Sequence, residues 1–128
     1  MIPQFTEAST EAKQSSLVSD LQTARSQIEL YKIQHLDNLP GTVNGATPTA
    51  ALFRSHMEGY TDVYGVAQTG PGDGVFGPYL QKIPTNPFAT NGDTVVAVTT
   101  NPTAADTTNG WFFNTSTGSF GAYSDPNL

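Results

Sequence analysis

The sequence predicts an α+β fold: a long N-terminal α-helix packed on a small C-terminal antiparallel β-sheet, with a short second helix and a long ordered loop between them. Three observations carry this reading. Residues 2–36 contain one proline, at the entrance, and no glycine. Residues 61–92 are punctuated by Gly65, Gly70, Pro71, Gly72, Gly74, Gly77, Pro78, Pro84 and Pro87. The runs rich in β-branched and aromatic residues come only after that, and helices first with strands last is the α+β order.

The long helix is read from Leu17, Leu21, Ala24, Ile28, Tyr31 and His35, which recur at alternating spacings of four and three and so share one helical face. Gln14, Arg25, Glu29 and Lys32 fall off that face. Arg25 with Glu29, and Glu29 with Lys32, are spaced to pair along the surface for a few tenths of a kcal/mol each. The front of the helix differs: from Thr6 to Ser16 the apolar residues are Ala8 and Ala12. A helix that is polar all round packs on nothing of its own chain and is marginal. Residues 1–16 are therefore expected to form a protruding neck, completed by helix upstream of Met1 or by neighbours in an assembly. The plainer alternative is a frayed, solvated tail. Residues 17–128 then form the globular head, and 128 residues in all suit a single domain with one modest core.

Asp37-Asn38-Leu39-Pro40-Gly41 is expected to end this helix, because Pro40 cannot continue it and Gly41 serves the turn. Thr47-Pro48 signals the start of the second helix, threonine as cap and proline as first helical residue. Ala51, Leu52, Phe53, Met57 and Tyr60 supply its inward face, and Gly59 its end. The helix is expected to lie against the base of the sheet. The glycine- and proline-rich segment that follows leaves little room for regular structure. Within it, Tyr79, Leu80, Ile83 and Phe88 can anchor the loop on the core, ordering it by side-chain burial. Residues 93–100 (DTVVAVTT), 111–114 (WFFN) and 119–123 (SFGAY) read as three strands of a meander. A tight turn at 115–118 ends on Gly118, where positive φ is cheap. Trp111, Phe112, Phe113, Phe120 and Tyr123 could be taken for a ligand platform. Alternation instead puts members of the cluster, Trp111 and Phe113 among them, in a helix–sheet core with Leu17, Leu21, Ile28 and Tyr31.

Composition limits the chemistry. The net charge is −6, with five basic residues in the whole chain, a poor basis for binding nucleic acid or an anionic membrane by charge. There is no cysteine, hence no disulfide and no thiolate site. No run of about eighteen apolar residues is present, so no stretch of the sequence reads as a membrane span. His35 and His56 show no metal-ligand spacing. His35 is expected to meet the dipole at its helix C-terminus, and His56 to sit on a helix surface. No Gly-x-Ser-x-Gly elbow exists, and Gly70-Pro71-Gly72-Asp73-Gly74 lacks the lysine of a phosphate loop and reads as a turn. Asn114-Thr115-Ser116 fits a glycosylation sequon but lies in the hairpin, where it reads as turn chemistry. No catalytic residue or cofactor site is assigned, and the chain is not read as an enzyme.

Three stretches carry a resemblance: DLQTARSQIELYKIQHLDNLPG at 20–41, GPYLQKIPTNPF at 77–88 and GWFFNTSTGSFGAYSD at 110–125. Together they resemble the major pseudopilin of type II secretion systems, especially its short threonine- and asparagine-rich versions. The opening IPQFTEAS is similar to the join where that family's apolar helix leaves the membrane. The resemblance implies a pilin-like fold and a structural role. An apolar helix ahead of Ile2, cleaved and methylated by a prepilin peptidase, would anchor the subunit in the inner membrane with its head in the periplasm. That helix would later form the core of a filament. Met1 before Ile2-Pro3 then reads as an added start on a protein cut just before Ile2. Partners would be copies of the chain itself, other pseudopilins and inner-membrane secretion components, with no nucleic acid. Many members of the family bind calcium through an acidic C-terminal loop. Here Asp125 is the only acidic residue after Tyr123, and Asp62, Asp73, Asp93 and Asp106 are scattered. A hard cation needs six or more oxygens, so no calcium site is assigned. The alternative reading is an adhesive or DNA-uptake pilin that binds a ligand through exposed loops. That would call for a basic or aromatic surface stripe, and the basic residues are too few.

Overall fold

A computed structural model describes residues 2–87, 96–99 and 110–123, with side chains described from residue 11 onward. The chain is α+β. Helix α1 (Ile2–Gln34) and helix α2 (Ala50–Glu58) precede a two-stranded hairpin, β1 (Tyr60–Thr61) with β2 (Ala67–Gln68). A second sheet has the order β3 (Val96–Thr99), β4 (Trp111–Asn114), β5 (Ser119–Ala122).

At 1.5 Å per residue, α1 is about 50 Å long. Its buried row is Leu17, Leu21, Ala24, Ile28, Tyr31 and His35, each at most 2% exposed. Every side chain from Glu11 to Ser16 is exposed. Glu29 pairs with Lys32 at 3.6 Å. Arg25 turns to the sheet instead, its Nε donating to the Phe120 carbonyl of β5 at 2.9 Å. The helix stops before the proline that was expected to stop it. The His35 amide bonds back only three residues, to Lys32, and the Asp37 amide closes on the same carbonyl at 2.8 Å. Leu36 and Asp37 take left-handed φ of 58° and 64°, so the capping geometry is made without glycine.

Helix α2 starts later than the sequence suggested. Thr49, not Thr47, is the cap: its hydroxyl accepts from the Leu52 amide at 3.2 Å, and its carbonyl takes the first helical bond from Phe53. Pro48 lies outside the helix, where a Cβ built on Gly41 would come 3.0 Å from it. The inward face also differs from expectation. It is Phe53, His56 and Met57; Ala51 is exposed, Leu52 half-buried, and Tyr60 has passed into β1. Gly59 ends the helix in extended conformation.

The C-terminal sheet is mixed, not an antiparallel meander. β4 and β5 form the expected hairpin, with Phe113 opposite Phe120, but β3 runs parallel to β4, with Val96 opposite Trp111. A parallel neighbour needs a connection long enough to return to the starting end. Residues 100–110 can reach roughly 36 Å when extended, against about 13 Å for a four-residue strand, so a crossover is available. In the hairpin turn, Asn114 Oδ1 accepts from the Ser116 and Thr117 amides at 2.9 and 3.3 Å, and Gly118 has φ 77°.

The core joins α1, α2 and the sheet. Phe53 lies 4.7 Å from the Phe113 ring and 6.1 Å from Phe120, and Trp111 stacks on Phe120 at 5.5 Å. Trp111 and Phe113 are fully buried. Ile28→Ala, at a position 2% exposed, should cost about 2–5 kcal/mol in a urea titration. A loss below about 0.5 kcal/mol, the range of surface sites, would contradict its packing against the sheet.

The segment after α2 is held by backbone as well as by side chains. Tyr79 and Ile83 are buried and Leu80 packs partly on the core, while Phe88 lies outside the described residues. In addition the Tyr79 and Leu80 amides both donate to the Met57 carbonyl, at 3.0 and 2.9 Å. The Ile83 amide donates to the Glu58 carboxylate at 2.6 Å. The expected absence of regular structure in this stretch is also corrected by the β1–β2 hairpin. Its turn is closed by Asp62, whose Oδ1 accepts from the Tyr64 and Val66 amides at 2.9 Å each.

Candidate functional site

Two features of α1 stand apart from ordinary packing. The first is the front half. Residues 11–16 offer only polar and small side chains to solvent, and the shallow groove there is lined by Glu11, Gln14, Ser15 and Val18. The apolar row begins at Leu17. The helix thus divides into a length that is part of the head and a length whose described side chains the head does not cover.

The second is a polar cluster where α1 ends. Tyr31 and His35, one turn apart, stack face to face with centroids 3.6 Å apart and planes within 1°. His56 of α2 meets Tyr31 at its hydroxyl end, with centroids 5.7 Å apart and planes within 13°. Phe76 and Tyr79 meet His35 edge-on at 5.3 and 6.1 Å, and Tyr79 also meets Tyr31 at 5.3 Å. The placement of His35 follows from the helix end. Its amide has turned to the Lys32 carbonyl, and its ring Nδ1 takes up the Tyr31 carbonyl at 2.7 Å. Its Nε2 lies 2.7 Å from the Thr61 hydroxyl of β1. His56 is not on a helix surface, as the sequence suggested; it is 1% exposed. Its Nδ1 lies 2.8 Å from both the Tyr31 hydroxyl and the Gly41 amide. The missed signal was its position in the Phe53, His56, Met57 row, whose i, i+3, i+4 spacing marks an inward face.

Burial dominates the electrostatics. It lowers both imidazoles, His56 to about 4, with the neighbouring His35 lowering it further and the Gly65 backbone opposing. For His35, burial outweighs the Tyr31 carbonyl and the Asp62 carboxylate, which favour the charged form. Burial raises the Tyr31 hydroxyl, Tyr79 adding to it, and pushes Tyr79 up to about 12. Tyr79 donates to Gln34 Oε1. At neutral pH the cluster is uncharged, and it joins α1, the 36–46 loop, α2 and β1. The two histidines and Tyr31 are 0–1% exposed, so the cluster is closed to solvent at the junction of these elements.

Among the described residues no group of three or more His, Asp or Glu is gathered as a metal ion would need. Asp62 closes its own turn, and Asp93, Asp106 and Asp125 lie outside the described residues. No helix among the described residues is long and apolar enough to cross a membrane. No family model, no curated protein and no solved structure matches this chain.

Proposed function

We propose that this chain is a structural subunit of a bacterial secretion filament, a pseudopilin of type II secretion that polymerises through an apolar helix preceding Ile2. The observation that carries the proposal is the division of α1: buried in the head from Leu17 and exposed from Glu11 to Ser16. A helix with an uncovered polar length is an energetic oddity in an isolated head. It is the expected form of a neck joining a head to a membrane-embedded or filament-embedded segment. The resemblance at 20–41, 77–88 and 110–125 supports the same reading. In this proposal the head faces the periplasm before assembly, and the partners are further copies and other components of the secretion apparatus. The chain performs no catalysis.

Two such necks have little apolar area to bury against each other, and a stable interface needs upward of about 1,000 Å². Residues 1–128 alone should therefore sediment as a monomer or weak oligomer. With a helix of roughly twenty apolar residues restored ahead of Ile2, and the secretion machinery present, the protein should enter filaments visible by electron microscopy. Repeated heterologous contacts between heads would give an open helical polymer. Long filaments formed by residues 1–128 alone would overturn the proposal. So would a membrane-anchored protein that never enters one.

A further inference from the structure

Backbone partners fix where the protons sit on the two buried imidazoles. The Tyr31 carbonyl can only accept, so His35 carries its proton on Nδ1 and its Nε2 accepts from the Thr61 hydroxyl. The Gly41 amide can only donate, so His56 Nδ1 is bare and its proton is on Nε2. That Nε2 is buried and has no hydrogen-bond partner among the described residues.

The two rings therefore differ in how they can accept a second proton. His35 takes it at Nε2, and the Thr61 hydroxyl turns from donor to acceptor. His56 can take it only at Nδ1, where the Gly41 N–H already points from 2.8 Å. Two donors then face each other. The Tyr31 hydroxyl, also 2.8 Å away, can reverse its role; a backbone amide cannot. The bond that is lost is Gly41's.

We propose that the Gly41 N–H to His56 Nδ1 bond is an acid-released latch: it holds the α1–α2 loop, residues 36–46, to helix α2, and a proton on His56 frees the loop from α2 at Gly41, with Asn44 still bonded to the Tyr64 carbonyl, while the α1–sheet core stays folded. The proposal does not depend on the filament reading. Gly41 sits where release would be felt, its Cβ position 3.0 Å from Pro48 and 3.2 Å from the Phe53 amide. The groups facing His56 set the sense of the switch. Tyr31 of α1 is neutral and can solvate the charge. His35 of α1 repels a second positive charge. Tyr79 is neutral, and Asp62 of the β1–β2 turn acts on His35 and Tyr31. On α2 itself, Arg54 and Glu58 neutralise one another at 3.2 Å.

The test is a titration of the isotopically labelled protein from neutral pH to about pH 3.5, below the depressed value of His56. NMR would follow the His56 ring nitrogens together with amide exchange at Gly41, Ile28 and Trp111. At neutral pH the His56 ring should show the Nε2–H tautomer. As it protonates, Gly41 should lose about tenfold in protection, the equivalent of one hydrogen bond, while Ile28 and Trp111 keep theirs. His56→Asn retains an acceptor oxygen close to the Nδ1 position and cannot be protonated, so its Gly41 protection should not follow pH. Gly41 protection that survives ring protonation overturns the latch. So does loss of protection at Ile28 in step with Gly41, which would mean global unfolding. An Asn variant with the wild-type acid transition also overturns it. If that variant does not fold, the wild-type titration decides alone.

Discussion

Trp111→Ala should lower the unfolding free energy by about 3–5 kcal/mol, the largest loss expected from truncating one core side chain. Trp111 is fully buried in β4, stacked on Phe120 at 5.5 Å with a 22° tilt. Its Nε1 donates to the Pro84 carbonyl at 2.8 Å, so it also pins the segment after α2 to the sheet. The alanine variant loses the apolar burial, opens a cavity between sheet and loop, and strips a carbonyl of its donor, which alone costs about 1–3 kcal/mol if water cannot reach it. Against a total of roughly 5–15 kcal/mol for a domain, this removes much of the margin. Trp111→Phe separates much of the packing from the hydrogen bond, since it keeps a ring on Phe120 but loses the N–H and part of the ring volume. The Phe variant should recover more than half of the loss. Trp111 is the only tryptophan, so unfolding must be followed by circular dichroism, not by indole fluorescence. A loss below about 1 kcal/mol, no more than a typical single substitution, would show that the ring does not fill the core as described.

How much of this was legible in the sequence depends on whether the signal is local. The spacing from Leu17 to His35 repeats with the period of a helix, and the residues on it are those with buried side chains. The WFFN–turn–SFGA hairpin carries its own turn chemistry, and the Asn114 side chain makes the turn bonds. The direction of β3 had no such signal. Side chains alternate with a period of two in both parallel and antiparallel strands, so the run 96–99 looks the same either way. Only the course of the connection decides. The start of α2 is ambiguous in the sequence because Thr47-Pro48 and Thr49 offer competing caps, and the helix uses Thr49. His56 was missed for another reason. Its place in the Phe53, His56, Met57 row marks an inward face, but the groups that satisfy a buried imidazole, Tyr31 and Gly41, are 25 and 15 residues away.

The histidine cluster gives the proposed neck-and-head arrangement a physical basis. If a filament transmits force along α1, the head must be clamped to that helix at more than one point. Arg25 ties it to the β5 edge through the Phe120 carbonyl. Ten residues further on, His35 ties it to β1 through Thr61, and Tyr31 ties it to α2 through His56. The apolar row starts before them, at Leu17, and runs past Arg25 through Ile28 to Tyr31. The front of the helix shares in none of these described contacts, so a load applied there would reach the head through Leu17 and the residues after it.

Gly65→Ala should be among the most damaging substitutions outside the aromatic core. Gly65 has φ 85° in the turn between β1 and β2, a conformation costing a residue with a side chain about 1–3 kcal/mol. Space adds to that cost. A Cβ there would overlap the Thr42 carbonyl oxygen and come 3.1 Å from Cε1 of His56. The carbonyl belongs to the 36–46 loop and the ring to the buried cluster, so neither yields without disturbing the junction. The turn cannot swing aside freely: the Gly65 amide bonds to the Asp62 carbonyl at 3.0 Å, and the Tyr64 carbonyl accepts from Asn44 at 3.0 Å. Gly45→Ala is the matched control, since Gly45 has φ 81° but nothing within 4 Å of its Cβ position. It should show the conformational cost alone, of about 1–2 kcal/mol. Gly65→Ala should exceed it by roughly 2 kcal/mol or more, the scale of overpacking in a tight site. Paired urea titrations of the two variants measure the difference, and equal losses would mean that the turn does not press on Thr42 and His56.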